Sequence, residues 1–162
     1  MQENYTKYLS IVLNVEQGYV DDPDDPGGAT NHGITQRTYD TWRSKHNLQR
    51  VSVKECTVQQ ASQIYEELYW DVVKCDSLPE PLDLIAFDCS INQGPGFALK
   101  CLVKIQGQGN IPEKCKEFMT LRKERYDEIV ANKPSQKKFY KGWMNRLDTI
   151  WKASRLTGDW RS

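Results

Sequence analysis

Between Tyr5 and Gln17 the large apolar residues fall at Tyr5, Leu9, Val12 and Leu13, the spacing of one face of a helix. Continuing that stripe by seven from Leu9, four from Val12 or three from Leu13 lands on Glu16, so a carboxylate stands where a core residue is expected. Later segments repeat the helical period. Thr35 is placed to cap a helix carrying Tyr39 and Trp42 on one side, and Thr57 with Gln60 makes a capping box ahead of Val58, Ala61, Ile64, Tyr65, Leu68 and Val72. Pro79 and Pro81 precede a mostly apolar helix from about Leu82 to Ile91, ended by Gly94-Pro95-Gly96, and another runs on to Gln106. Pro112 suits a first helical position before Cys115, Phe118, Met119, Arg122, Tyr126 and Ile129, and Ser135 is expected to cap a last helix bearing Phe139, Trp143, Leu147 and Ile150. Strand-like pieces are confined to Tyr19-Val20 and His32 to Ile34. The pattern predicts a mainly α fold with at most a small β-hairpin.

Glu16 is the first candidate for chemistry. Desolvating a carboxylate costs several kcal/mol, so a site on a core-facing stripe raises its pKa and keeps its proton on near neutral pH. A general acid needs that proton. A helix that frays at Gly18 leaves Glu16 solvated instead. After it comes a loop with two turn-forming Asp-Pro pairs, Asp22-Pro23 and Asp25-Pro26, and a Gly27-Gly28 step. These turns lead the chain back towards the helix end, which brings Asp25 or Asp24 within range of Glu16. A pair of carboxylates is the minimum equipment of most glycoside hydrolases. A calcium loop is disfavoured, because Pro26 breaks the alternation of oxygen ligands begun at Asp22 and Asp24 and no Glu follows at the twelfth position.

Composition narrows the class. The chain has 162 residues, 38% apolar and 10% aromatic, enough for an ordinary core. No run reaches the roughly eighteen apolar residues of a membrane span, and no basic segment followed by an apolar one marks a signal peptide, so synthesis in the cytoplasm is expected. Five cysteines without a Cys-x-x-Cys pair, beside only two histidines, argue against a disulfide framework and against zinc. No cofactor or metal is expected. The net charge of zero conceals a polarity: residues 1–90 hold 7 Lys and Arg against 15 Asp and Glu, and residues 91–162 hold 15 against 7. A cationic half suits an anionic polymer such as peptidoglycan and would equally suit nucleic acid, and solvated lysines on exposed helices would give the same count.

The run Glu16-Gln17-Gly18-Tyr19, the Asp-Pro pairs, Gly27-Gly28-Ala29-Thr30 and Gly33-Ile34-Thr35 together resemble the signature of glycoside hydrolase family 108, the phage and bacterial N-acetylmuramidases. Tyr69-Trp70, Ala86-Phe87-Asp88 and Ile91-Asn92-Gln93-Gly94-Pro95-Gly96 resemble the family's later motifs, and Lys133-Pro134-Ser135-Gln136 with Gly142-Trp143-Met144-Asn145-Arg146 is similar to the peptidoglycan-binding segment often fused to it. Gln17 departs from the Gly usual there. The resemblance implies a lysozyme-like fold with the hairpin beside the active-site cleft, a catalytic region over 1–93 and a wall-binding helical segment over 94–162 packed into one compact domain with it. It implies cleavage of the β-1,4 bond between N-acetylmuramic acid and N-acetylglucosamine, Glu16 being the general acid and Asp25 its partner. Thr30 would hold the attacking water, or else bond its own backbone in a turn. Tyr69, Trp70 and Asn92 are candidates for sugar contacts, since aromatic faces stack on pyranoses and amides bond N-acetyl groups, although aromatics at helical spacing also serve as core. His32 is a further candidate for sugar or for Asp25, or fills a structural place in its loop. The expected partner is peptidoglycan, acted on outside the cytoplasm by a monomer that neither binds nucleic acid nor inserts in the membrane, with a membrane-permeabilising protein providing passage. A lytic transglycosylase and a non-catalytic wall-binding module are the alternatives.

Overall fold

The computed structural model describes residues 2–15, 21, 28–107 and 109–162. The chain is mainly α, with seven α-helices and one two-stranded antiparallel sheet among the described residues. Its contacts divide into two compact units, residues 1–68 and 69–162.

In the first unit α1 spans Gln2–Val15 and buries Tyr5, Tyr8 and Leu9. β1 (Thr30–Asn31) and β2 (Ile34–Thr35) form the hairpin, with Thr30 opposite Thr35 and Asn31 opposite Ile34. His32 and Gly33 are its two turn residues, at φ 52° and 77°. Two positive φ values in a two-residue loop match the right-handed twist of paired strands; glycine adopts them at no cost, and histidine is among the side chains that tolerate them. The expected strand from His32 to Ile34 is therefore a turn at His32 and a strand from Ile34.

Asn31 fixes the hairpin to the chain beyond it. Its side chain is buried, and Nδ2 donates to the carbonyls of Val53, Lys54 and Cys56 at 3.2, 3.2 and 3.1 Å. Those residues form and follow the 3₁₀ turn Val53–Glu55. Asn31→Ala deletes the donor and strands buried carbonyls, an expected loss of about 1–3 kcal/mol. Urea denaturation of the variant checks it, and a midpoint equal to wild type would show that the hairpin is held by other means.

α2 (Gln36–Lys45) is capped by Thr35, whose Oγ1 accepts from the Thr38 amide at 3.1 Å, and it buries Tyr39 and Trp42. α3 (Val58–Tyr65) begins with the expected capping box of Thr57 and Gln60. The helical pattern anticipated through Val72 stops short: a π turn occupies Glu66–Trp70, and Val72 is 44% exposed. The buried positions Tyr65 and Trp70 are five apart, a spacing that a wider i to i+5 turn accommodates and an α turn does not.

In the second unit α4 (Leu82–Gln93) is the central element, buried at every position from Leu82 to Ser90. Gly94, at φ 95° and ψ 145°, connects it directly to α5 (Pro95–Lys104), a conformation that essentially only glycine holds. α6 (Ile111–Asn132) starts with a second capping box, Asn110 with Glu113, and buries Cys115, Phe118, Met119, Arg122 and Tyr126. α7 (Tyr140–Ala153) buries Leu147, Ile150 and Trp151. Ser135 does not cap it: it lies inside a 3₁₀ segment, Pro134–Phe139, and α7 begins at Tyr140 with no side-chain cap. The residues after α7 are tied back by Trp151 Nε1 to the Gly158 carbonyl at 2.9 Å and Trp160 Nε1 to Asp148 at 3.2 Å.

Candidate functional site

Glu16 and Asp25, the candidate carboxylates, lie outside the described residues. Glu16 is the residue directly after α1. The candidates that are described fall into two groups, one in each unit.

Thr30 and His32 share the hairpin. Thr30 is half-buried in β1, and its hydroxyl makes no hydrogen bond among the described residues. Among the described residues the turn-forming bond to its own backbone is not formed. His32 is held by its backbone, whose carbonyl accepts from the Tyr65 hydroxyl at 2.7 Å, so the turn residue is fixed while its imidazole stays half-buried.

Tyr69, Trp70 and Asn92 belong to the second unit. Trp70, expected to stack on a sugar, is only 1% exposed. Its indole Nε1 donates to Asp76 at 3.1 Å, and its ring meets Phe87 edge-on at 5.1 Å. It packs as a core residue with no open ring face. Tyr69 next to it is half-buried, and its carbonyl accepts from the buried Ser90 hydroxyl at 3.2 Å, which ties the π turn to α4. Asn92 is exposed near the end of α4. Its Nδ2 donates to the Asp88 carbonyl and carboxylate at 3.0 and 3.1 Å, leaving Oδ1 as an acceptor without a donor among the described residues.

The anchor beneath Asn92 is a buried ionic cluster. Asp88 is fully buried, accepting from Arg122 Nη2 at 2.8 Å and from Arg146 Nε and Nη2 at 2.9 and 2.7 Å. Arg122 is fully buried too, with its Nε on Gln93 Oε1 at 2.7 Å, while Gln93 Nε2 returns a bond to the Arg122 carbonyl at 3.1 Å. Burial works against the charge on Arg122, but the Asp88 carboxylate, Cys89 and Tyr126 together outweigh it, so the guanidinium is held more firmly protonated than usual. Arg146 retains 11% side-chain exposure, so one carboxylate faces two guanidiniums, the outer of which reaches solvent. The sequence signal for this cluster was an aspartate and an arginine on otherwise buried helix positions; its pairing left no local mark.

Among the described residues no cluster of three or more His, Cys, Asp or Glu side chains is placed to hold a metal ion, and no helix is long and apolar enough to cross a membrane.

The sequence profile described as Glycosyl hydrolase 108 matches residues 9–94, more than half of the chain. The chain belongs to glycosyl hydrolase family 108. All seven candidate site residues of this family 108 chain, Glu16, Asp25, Thr30, His32, Tyr69, Trp70 and Asn92, fall within the matched stretch, while α5, α6 and α7 lie beyond it. A solved structure titled as that of Brucella abortus SagA is similar over 95% of this chain and 95% of its own, with a TM-score of 0.82 and 30% sequence identity. The likeness therefore extends through the helices that the family profile leaves out, and the mainly α, lysozyme-like fold is the one the sequence led us to expect. No curated protein matches the chain. Family membership makes it a glycoside hydrolase.

Proposed function

We propose that this family 108 hydrolase is an N-acetylmuramidase that cuts the β-1,4 bond between N-acetylmuramic acid and N-acetylglucosamine in peptidoglycan. The observation carrying the reading is the match of the family profile across the whole Glu16 to Thr35 motif. In the reaction Glu16 protonates the leaving glycosidic oxygen, and positive charge grows on the sugar ring as the bond lengthens. Asp25 is the carboxylate that stabilises this charge or activates water, and Thr30 holds that water. Asn92 offers its Oδ1 to the N–H of an N-acetyl group, with Asp88 holding the amide in place. Tyr69 and His32 are each candidates for contacts to the glycan, and Trp70 supports Tyr69 from the core.

Residues 94–162 serve as the wall-binding segment in this proposal. Support comes from the exposed Lys133, Lys137, Lys138 and Lys141 around Phe139, itself 43% exposed. Such a surface attracts the peptide carboxylates of the wall. The role that follows is bacterial lysis of the phage endolysin kind, by a monomer that a membrane-permeabilising partner lets reach the wall.

Mass spectrometry of fragments released from purified sacculi tests the reading. Fragments with reducing N-acetylmuramic acid ends are the expected product. Anhydro-muramic ends would make the protein a transglycosylase, reducing N-acetylglucosamine ends would make it a glucosaminidase, and binding without release of fragments would leave a wall-binding module.

A further inference from the structure

Residues 129–147 hold five Lys and Arg and no Asp or Glu. One of the five, Arg146, is bound to Asp88. The other four, Lys133, Lys137, Lys138 and Lys141, are exposed and make no ion pair among the described residues. The acids that flank the run are already engaged. Asp127 pairs with Lys123 at 2.7 Å and accepts from the Tyr140 hydroxyl, Glu128 pairs with Arg125 at 3.3 Å, and Asp148 pairs with Arg161 at 2.8 Å.

An aromatic column stands among these lysines. Tyr126 is buried in α6, Trp143 of α7 stacks on it with ring centroids 4.7 Å apart, and Phe139 leans on Trp143 at 6.1 Å. Phe139 is the outer member and is 43% exposed, with the Lys138 ammonium over its ring at 5.1 Å. Lys141 lies one turn beyond Lys137 and Lys138, where the 3₁₀ segment passes into α7, so it neighbours both. Tyr140 is fastened to Asp127 by its hydroxyl. The patch is therefore formed before a partner arrives, which lowers the ordering cost of binding.

We propose that this patch docks the hydrolase on an anionic phospholipid surface, the lysines meeting headgroup phosphates and Phe139 entering the apolar layer beneath them. A carboxylate of a wall peptide uses the cations and leaves the ring in water. A bilayer interface, anionic outside and apolar just below, uses both. Nucleic acid would use an exposed aromatic by stacking a base on an open ring face, and here Lys138 already lies over the Phe139 ring and Trp143 against it. The contact is peripheral: one side chain and no helix enters the bilayer. It holds the enzyme at the membrane face next to the wall.

Sedimentation of the full-length protein with vesicles tests the proposal, and since the vesicles carry no glycan the result is independent of which bond the enzyme cuts. Binding is expected to vesicles of phosphatidylcholine mixed with phosphatidylglycerol and not to phosphatidylcholine alone. It should fall steeply as the Debye length shrinks from about 10 Å at about 0.1 M salt to about 3 Å at about 1 M. Lys137→Gln with Lys141→Gln alters exposed side chains only, and should weaken binding roughly 25-fold, about fivefold for each lysine near an anionic surface. Phe139→Ser should weaken it severalfold and keep the salt dependence, while Phe139→Leu, which leaves an apolar side chain on Trp143, should restore most of the affinity. Equal binding to both kinds of vesicle, affinity for the mixed vesicles unmoved by the lysine pair, or salt-sensitive binding to sacculi or to single-stranded DNA with none to vesicles would each overturn the proposal.

Discussion

A Glu16→Gln protein is expected to release peptidoglycan fragments about 10²–10⁴-fold more slowly than the wild type, the loss typical of a positioned acid or base. Glutamine keeps the size and hydrogen-bonding shape of the side chain but has no proton to give to the departing sugar oxygen. In the sequence the residue continues the apolar spacing of Tyr5, Leu9, Val12 and Leu13. Glutamine is close in size and carries no charge to desolvate, so the variant is expected to keep the wild-type fold. Loss of rate without loss of fold is the signature to look for. Turbidity decay of permeabilised cells gives the rate and a thermal melt gives the fold; a folded Glu16→Gln protein that lyses at near the wild-type rate would remove Glu16 from the mechanism.

What could be read ahead of the structure was what the sequence encodes locally. Thr57 with Gln60 and Thr35 ahead of Tyr39 are cap signals contained within a few residues, and both helices start where those signals stand. The apolar run from Leu82 marked α4 as a central helix, because burial on all sides leaves no polar face to conceal it. Where reading failed, competing local geometry or distance was responsible. The helix through Val72 was interrupted by a π turn that alters the period, so Trp70 went to the core and not to a sugar-facing surface. Ser135 looked like a cap, but Pro134 already opens a 3₁₀ segment around it. The family motif gave the candidate residues their positions in the sequence, and nothing in it could show that Asn92 leans on a buried aspartate whose arginine partners lie 34 and 58 residues further along.

That aspartate carries the largest stability effect we expect. Asp88→Asn should destabilise the protein by about 3–5 kcal/mol, the cost of leaving a buried charge without its counterion. The substitution keeps the volume but puts an NH2 group where a carboxylate oxygen receives guanidinium donors. Arg122 then has no route of escape: it is fully buried, and a guanidinium does not shed its proton. Arg146, with 11% of its side chain exposed, can turn to water, so Arg146→Ala should cost less. Replacing both members of the inner pair, as Asp88→Asn with Arg122→Met, should recover part of the loss, since a buried pair taken away together leaves no orphan charge. Urea denaturation checks the ranking through the midpoint at constant slope. An Asp88→Asn protein within about 1 kcal/mol of wild type would mean that water or another group neutralises Arg122, and the cluster would lose its standing as the support of Asn92. If the ranking holds, fragment release by a folded Arg146→Ala protein becomes the informative comparison. Asp88 and its bonds to Asn92 survive in that variant, so any loss of rate then measures Arg146 itself and not the collapse of the helix beneath it.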